Sequence, residues 1–503
     1  MTGVERSLKA RNPRNARNAR NAFSTDSCSW VSCFSCLLVV AATSWAQQAP
    51  DRSKPPEIGP PPSLDLPEIQ THTLSNGLPV WLVESHEVPL VQVNLLVLAG
   101  GAQDPAGKFG VASLAAAMLD EGAGTRSALE IADALELLGA VLNTSSSFDA
   151  SAVRLNVPVA QLADALPIMA DVALRPTFPA QDLERLRQER LTSLLQARDD
   201  PESIASMAFS RLVFGAHRYG TGTIGTEGTV KGFTAADLGA FHAAFYRPSN
   251  AALIVVGDVQ PASALPLLEK QFGGWKENGA PPRTPLAAAP QLRQGQLYLV
   301  DKPGAAQSEI RIGWVGAPRS TPDYFALQVL NTVLGGSFTS RLNQNLREEH
   351  GYAYGAGSAF DMRLAPGPFV AAAAVQTDKT APALQEFFNE LREIGRPIGA
   401  EELAKAKNYL ALSFPGEFET IGDVSRRLEE LIVYHLPEDY FERYIAKIQA
   451  VTSAEVQKAA AAYLQPSKFA IVVVGDRKVI EAPVRALTLA PVRVMSVEEA
   501  LGR

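Results

Sequence analysis

The chain has 503 residues, of which 46% are hydrophobic and 20% are charged. These values are ordinary for a globular protein of several domains, and they exclude a fibrous or wholly disordered chain. The formal net charge is −7. An acidic protein of this kind is a poor ligand for phosphate backbones, so we expect no nucleic-acid partner.

A cleavable leader is predicted over residues 1–46. A basic stretch with Arg-Asn-Ala repeats at 11–22 precedes an apolar run at 30–42, and Ser44 and Ala46 have the spacing that signal peptidase accepts. We therefore expect cleavage near Ala46 and a periplasmic or secreted protein. A membrane anchor is the alternative, but the apolar run is shorter than the roughly 20 residues that span a bilayer. All three cysteines lie in the leader, so no disulfide is expected after cleavage.

Strand and helix patterns alternate through the remaining sequence. Apolar residues alternate in 78–84 and 90–98, which predicts two strands. A helix is predicted over 127–138, because Ser127 and Glu130 can form a capping box and a glycine follows the last apolar position. The second half of the sequence repeats both patterns, with alternation around residue 312 and a helical apolar stripe from 384 to 394.

An internal repeat is visible at a constant offset of 218 residues. Thr234, Pro248 and Gly257 mark a capped helix, a Pro-Ser turn and a β-branched strand, and the same pattern recurs at Thr452, Pro466 and Gly475. The repeat predicts a duplicated domain.

The predicted fold is therefore α+β, with two homologous domains in tandem, each a largely antiparallel sheet packed with helices. The domains are expected at 68–276 and 296–485, joined by a Pro- and Ala-rich exposed linker at 277–295. Two independently packed halves follow from this interpretation. Residues 47–67 are expected to be a disordered Pro-rich segment, and 486–503 a C-terminal tail.

Several short motifs in the first domain resemble a known family. The segments 75–78, 100–101, 110–112 and 118–119 read Ser-Asn-Gly-Leu, Gly-Gly, Gly-Val-Ala and Met-Leu. In this order they are similar to the amino-terminal domain of the pitrilysin/insulinase family of zinc peptidases, and the resemblance extends over nearly all of residues 70–480. It implies a two-domain unit that forms half of a clamshell.

The zinc motif of that family is missing from this chain. Active members carry His-x-x-Glu-His between the third and fourth segments, and the corresponding positions here are Ser113, Ala116 and Ala117. The resemblance puts the third ligand, a glutamate, at Ser193. Serine and alanine supply neither the imidazole and carboxylate ligands nor the base that a zinc hydrolase needs. We therefore expect no metal on this chain and zinc only in a partner subunit.

The histidines of the chain do not supply another metal motif. None of the six falls in a His-x-x-x-His or His-x-x-Glu-His pattern: His72, His86, His217, His242, His350 and His435. A lone histidine is more often a packed or surface residue than a ligand.

A second family motif is present in the second domain. Leu-Gly-Gly-Ser at 334–337 and Arg347 followed by Tyr354 are similar to the family's glycine-rich loop and its Arg/Tyr pair. The resemblance implies that Arg347 and Tyr354 reach across the clamshell and stabilise the oxyanion at a partner's zinc, a contribution on the order of 3 kcal/mol per donor. Gly335, Gly336 and Ser337 would form the substrate-binding loop, because glycine lets an extended peptide approach closely. Taken singly, each of these residues has an ordinary structural explanation.

Three functions remain open from the sequence. The first is a non-catalytic, substrate-binding subunit of a heterodimeric zinc metallopeptidase, in which a homologous subunit with an intact zinc motif acts on peptides. The second is a non-enzymatic scaffold or peptide-binding protein that keeps a peptidase-derived fold. The third is an active hydrolase with an unrecognised metal site. A zinc-motif homologue that co-purifies with the chain would favour the first.

Overall fold

The computed structural model describes residues 66–277, 279–282 and 285–502. The predicted leader and all but the last two residues of the Pro-rich segment lie outside the described residues. Within them, two six-stranded sheets carry the fold, one in each half of the chain.

The first sheet has the spatial order β1-β2-β8-β3-β7-β6. All its neighbouring strands are antiparallel except β2 and β8, which are parallel. The strands of this half, including the small ribbon β4–β5, are β1 Gln70–Thr73, β2 Pro79–Glu84, β3 Leu90–Val97, β4 Gly122–Ala123, β5 Arg126–Ser127, β6 Val141–Ser146, β7 Ser151–Pro158 and β8 Ala251–Gly257.

Eight helices accompany the first sheet in the described residues. They are α1 Val111–Ala117, α2 Ala128–Leu137, α3 Leu162–Leu174, α4 Ala180–Gln196, α5 Pro201–Phe214, α6 Glu227–Gly232, α7 Ala235–Phe245 and α8 Pro261–Phe272. The capping box predicted at Ser127 and Glu130 starts α2. Gly139, at φ +61°, follows the end of that helix as predicted.

The second sheet has the order β11-β12-β10-β13-β9-β14. The strand β9 is parallel to both β13 and β14, and the other pairs are antiparallel. Its strands are β9 Gln296–Asp301, β10 Gln307–Val315, β11 Ala353–Phe360, β12 Pro368–Gln376, β13 Ala470–Gly475 and β14 Val492–Met495. The accompanying helices are α9 Tyr324–Leu334, α10 Arg341–Asn343, α11 Thr380–Glu393, α12 Ala400–Ser413, α13 Ile421–Val433, α14 Tyr444–Ala450, α15 Ser453–Tyr463, α16 Arg477–Ala486 and α17 Val497–Leu501.

The sequence repeat corresponds to a structural repeat. Thr234 caps α7 and Thr452 caps α15, each with a full capping box, and the strands β8 and β13 follow. Two α+β domains in tandem are thereby confirmed.

The two halves do not pack independently, contrary to the prediction. The strands β8 and β13 are apolar and buried along their whole length, so both faces of each sheet need a covering layer. On each sheet one of these layers comes from the other half. Helix α13 of the second half packs on β3 and β8, and helix α5 of the first half packs on β10 and β13.

Alternate residues of the buried strands enter different cores. In β8, Leu253 and Val255 join the core of the first half, whereas Ile254 and Val256 join the core that contains Leu428 of α13. The helices α5 and α13 hold nearly equivalent positions in the 218-residue repeat. The halves are therefore joined by a reciprocal exchange of helices.

The linker and the tail also differ from the sequence interpretation. No regular element lies between α8 and β9 in the described residues, but Leu286 and Leu292 pack against the core under α5 instead of lying free. Residues 486–503 include β14, an edge strand of the second sheet, and α17. Arg211 of α5 donates to the carbonyl oxygens of Glu499 and Ala500 in α17. Parallel pairing with β9 makes this segment part of the fold.

Candidate functional sites

Helix α1 carries three of the four positions at which the family motif is missing. It begins after Gly110, whose φ is +100° and whose Cβ, if present, would lie 2.7 Å from the Ile224 carbonyl oxygen. The buried carboxylate of Asp104 accepts the backbone N–H groups of Gly110 at 2.6 Å and Ala112 at 2.8 Å. Burial raises the pKa of Asp104, and the helix N–H groups and the nearby guanidinium of Arg218 oppose that shift.

Ser113 bonds to an arginine where a metal ligand would bond to zinc. Its Oγ donates to the carbonyl oxygen of Thr223 at 2.7 Å and accepts from Arg190 Nη1 at 2.8 Å. Arg190 comes from α4, 77 residues further along the chain. Burial lowers the pKa of Arg190 to about 10, with the charge of Asp104 acting in the opposite direction. The guanidinium is still fully charged at neutral pH.

The remaining degenerate positions add no ligand. Ala116 is buried and Ala117 is half-buried on α1, and Ser193 is exposed on α4 with its Oγ donating to the Glu189 carbonyl oxygen at 3.0 Å. The structure thus brings together Ser113 and Arg190 rather than Ser113 and Ser193. Zinc does not fit here, because the position offers a hydroxyl, methyl groups and a cation. Among the described residues no group of three or more His, Cys, Asp and Glu side chains could hold a metal ion.

Arg190 was missed by the sequence analysis, although a signal for it exists. Leu183 and Leu194 are the buried residues of α4, and Arg190 falls on the same stripe at helical spacing. An arginine on the apolar stripe of a helix is carried towards the core together with the stripe. Such a residue is a candidate for a functional site, because its charge needs a partner there.

The glycine-rich loop of the second half packs against its own chain. A Cβ on Gly335 would lie 2.2 Å from the backbone nitrogen of Ser358 in β11, and that N–H donates to the Gly335 carbonyl oxygen at 3.1 Å. A Cβ on Gly336 would lie 2.6 Å from Nδ2 of Asn331. Ser337 Oγ donates to the Thr332 carbonyl oxygen at 3.1 Å. The close approach that these glycines permit is thus made to β11, whereas the sequence interpretation expected it for an external peptide.

Arg347 and Tyr354 come together on the surface of the second half. Arg347 lies in a π-helical turn, Gln344–Glu349, and Tyr354 is the second residue of β11. The Cζ of Arg347 is 5.2 Å from the centre of the Tyr354 ring and 4.6 Å from the centre of the Phe338 ring. Tyr354 is 87% exposed and Phe338 is 61% exposed. We call Phe338, Arg347 and Tyr354 the Arg347 cluster.

The exposure of the Arg347 cluster is unusual for its composition. Two aromatic rings would normally gain a few kcal/mol from burial, and here they hold a guanidinium at the surface instead. Arg347 also pairs with Glu348, whose Oε1 lies 3.1 Å from its Nε. Phe338 was missed by the sequence analysis; its signal was an aromatic residue directly after the Gly-Gly-Ser loop.

Residues 80–227 match the sequence model of the insulinase family (peptidase family M16), and residues 232–410 match the model of the peptidase M16 inactive domain. The chain belongs to the pitrilysin/insulinase family. The resemblance found in the sequence is thereby confirmed, and the chain is an M16 protein of the inactive type.

Individual M16 relatives support the same assignment. An uncharacterised zinc protease of Mycobacterium tuberculosis is 28% identical over 404 residues, which cover 80% of this chain and 92% of the relative. The crystal structure of a peptidase M16 inactive domain from Pseudomonas fluorescens is 27% identical with a TM-score of 0.76, over 81% of this chain and 98% of that chain.

Another solved M16 structure relates this chain to half of a longer protein. The first half of the periplasmic protease PqqL from Escherichia coli has a TM-score of 0.67 and 19% identity, over 87% of this chain and 98% of that half. Against the whole of PqqL, the match covers 88% of this chain and 51% of PqqL. At this identity the likeness concerns the fold alone.

The apolar run at 30–42, on which the membrane alternative rests, lies outside the described residues, whose helices can be judged separately. None of their helices combines the length and the apolar character that crossing a bilayer requires.

Proposed function

We propose that this M16 chain is a non-catalytic subunit that supplies Arg347 and Tyr354 to the zinc site of a homologous partner subunit acting on peptides. The observation that carries the proposal is the Arg347 cluster, which is built and exposed although the chain's own metal positions are Ser113, Ala116 and Ala117. No hydrogen bond or ion pair in the described residues joins the cluster to Ser113. A surface site of this kind has its use in contact with another molecule.

The match to PqqL supports the pairing. A protease whose single chain is about twice as long as this M16 unit contains one such unit as its first half. In this proposal the second unit is a separate chain, which carries the His-x-x-Glu-His motif and the zinc.

The chemistry assigned to the cluster is oxyanion stabilisation. The Tyr354 hydroxyl and the Arg347 guanidinium each donate a hydrogen bond to the negative oxygen that develops on the scissile carbonyl, at about 3 kcal/mol per donor in a water-excluded site. Phe338 and Tyr354 restrict the guanidinium between two ring faces. Closure of the partner over the cluster would exclude the water that now contacts it.

The peptide is proposed to bind by strand addition in the first half. Strand β6 is an edge strand of the first sheet, and no strand pairs with its outer side in the described part of the chain. At the edge of the second sheet, by contrast, the N–H groups of Ala356 and Ser358 in β11 are already bonded to Asn343 Oδ1 and to Gly335. Main-chain pairing with β6 would give affinity with little sequence preference.

Export to the periplasm or the medium is part of the proposal. It rests on the leader pattern at 1–46 and on the periplasmic relative PqqL. Amino-terminal sequencing of the protein from its own cells tests it, with a mature end at residue 47 expected.

The partner is tested by purification from the native cells, followed by reconstitution. We expect an M16 homologue of similar size, with an intact zinc motif, to co-purify with this chain. In the reconstituted pair, Tyr354→Phe and Arg347→Ala should each lower kcat/KM for a fluorogenic peptide on the order of 100-fold, with assembly unchanged by size-exclusion chromatography. Tyr409→Phe and Arg396→Ala remove exposed groups elsewhere in the second half and should leave turnover unchanged.

Turnover that is unchanged in both cluster variants would contradict the assignment of Arg347 and Tyr354. A chain that co-purifies with no zinc-motif homologue and activates no peptidase would instead support the scaffold or peptide-binding alternative. Stoichiometric zinc in the purified chain alone would revive the active hydrolase.

A further inference from the structure

Arg190 has an unusual set of partners. The helix α4 holds three arginines, and the other two are fully engaged: Arg185 pairs with Glu121 and Glu189, and Arg187 donates to three backbone carbonyls and to Glu184. Arg190 bonds only through Nη1, to Ser113 Oγ at 2.8 Å and more weakly to the Ile224 carbonyl oxygen at 3.5 Å. Its Nε and Nη2 have no hydrogen-bond acceptor in the described residues, and the residue as a whole is only partly buried.

No acid forms a hydrogen bond or ion pair with Arg190 in the described residues. The acid that acts on it is Asp104, whose Oδ1 accepts the Ala112 N–H and whose Oδ2 accepts the Gly110 N–H and lies 3.1 Å from Nη2 of Arg218. Two guanidinium groups therefore share one buried carboxylate, and the surroundings of Ser113 carry an excess positive charge. Keeping a partly buried cation without an ion-pair partner costs free energy, which a bound anion would offset.

The free edge of Arg190 has the geometry that binds carboxylates elsewhere in this protein. Arg154 uses Nε and Nη2 to hold both oxygens of Glu429 at 2.7 and 2.6 Å. Arg341 holds Glu402 through the same two nitrogens, at 2.7 Å each. This planar fork matches a two-oxygen anion and gives the stronger, charge-assisted kind of hydrogen bond.

The position of Arg190 near strand β6 indicates which molecule could carry an anion bound to its fork. Arg190 bonds to Ser113, on the helix α1, and α1 packs against the edge strand β6. A peptide chain added to β6 would therefore run beside the helix that holds this cation. The backbone end of a peptide carries the two-oxygen anion that the fork fits.

We propose that the Arg190 guanidinium has replaced the metal as the cation of this site, and that its free Nε and Nη2 bind an oxyanion, either the C-terminal carboxylate of a peptide or a free phosphate. The site lies in the first half of the chain and needs neither the zinc-bearing partner nor Arg347. It deepens the peptide-binding part of the proposed function, and its test uses this chain alone, so the two can fail separately.

The test compares two peptides on the full chain in the absence of any partner. Fluorescence anisotropy is measured with a labelled extended octapeptide of uncharged side chains, once with a free C-terminal carboxylate and once with a C-terminal amide. We expect the acid to bind about tenfold more tightly than the amide. In Arg190→Gln the ratio should fall to about one, because glutamine keeps a donor for Ser113 but loses the charge and the fork. The matched control is Arg185→Gln on the same helix, which should keep the tenfold ratio.

A second measurement, the melting temperature with inorganic phosphate, distinguishes a peptide carboxylate from free phosphate. It also shows whether a variant is folded. If inorganic phosphate raises the melting temperature of the wild-type chain but not of Arg190→Gln or Arg190→Lys, while the two peptides bind alike, the oxyanion is free phosphate. If acid and amide bind alike and phosphate has no effect on the wild type, the proposal is overturned. It is equally overturned if the tenfold preference for the acid persists in Arg190→Gln or Arg190→Lys.

Discussion

The exchange of helices between the halves makes Glu429 a sensitive point of the fold. Glu429 lies on α13 of the second half and reaches the first sheet, where its Oε1 accepts from Asn94 Nδ2 at 2.8 Å and from Arg154 Nε at 2.7 Å. Its Oε2 accepts from Arg154 Nη2 at 2.6 Å. The Glu429 side chain is 11% exposed and that of Arg154 is 31% exposed.

We expect Glu429→Ala to lower the free energy of unfolding by about 3 kcal/mol. Removing one partner of a buried ion pair costs about 3–5 kcal/mol, because the other charge remains buried and unpaired. The exposed part of Arg154 lets water replace some of the lost contact, which places the value at the lower end. The amide of Asn94, which is fully buried, loses an acceptor and contributes about 1–3 kcal/mol of that cost.

The control is the opposite contact between the halves, in which helix α5 of the first half packs on the second sheet. Arg311 of the second sheet lies 3.4 Å from Glu202 of α5, but the Glu202 side chain is 72% exposed. Glu202→Ala should therefore cost less than about 1 kcal/mol. Both variants are compared with the wild type by urea denaturation followed by circular dichroism and tryptophan fluorescence. Equal effects of the two substitutions, or a loss below about 1 kcal/mol in Glu429→Ala, would refute the reasoning from burial.

Two further predictions concern Phe338 and a buried acid between the halves. Phe338→Ala should lower kcat/KM of the reconstituted pair by roughly two- to fivefold, because an exposed cation–π contact with Arg347 is worth about 0.5–1 kcal/mol. Phe338→Tyr keeps an aromatic ring and should restore kcat/KM. A loss as large as that of Arg347→Ala would contradict a positioning role for Phe338. Burial raises the pKa of Asp149, with the Leu364 N–H opposing that shift, so the folded state takes up this proton before the unfolded chain does as the pH falls. Asp149→Asn should therefore raise the free energy of unfolding above that of the wild type, most of all at neutral pH. In urea melts this difference should shrink as the pH is lowered towards 3.8, the ordinary pKa of the group. A difference that stays constant with pH would contradict the prediction.

The local structure of this protein could be predicted from the sequence because its causes are local. The box of Ser127 and Glu130, the capped helices at Thr234 and Thr452, and the buried strands that follow the Pro-Ser turns were all predicted and are confirmed. Each of these features depends on side chains that lie close to one another in the sequence. The repeat at 218 residues then predicted two domains, which the structure and the family comparison confirm.

The arrangement of the halves could not be predicted in the same way. Fully apolar strands indicate that both faces of a sheet are covered, but they do not say which helix covers them. The tail 486–503 shows the same limit. Its short strand β14 has no signal of its own and exists because β9 offers it an open edge.

The candidate sites show the same difference between features set by local sequence and features set by long-range packing. The sequence and its family resemblance predicted what is missing, because Ser113, Ala116, Ala117 and Ser193 are not of the residue types that bind zinc in proteins. It also singled out Arg347 and Tyr354, whose roles stay predictions. Only the tertiary structure placed Arg190 on Ser113, across 77 residues, and Asn94 on Glu429, across 335. Contacts over such separations depend on how the layers of the fold pack, and no local pattern of residues encodes that packing.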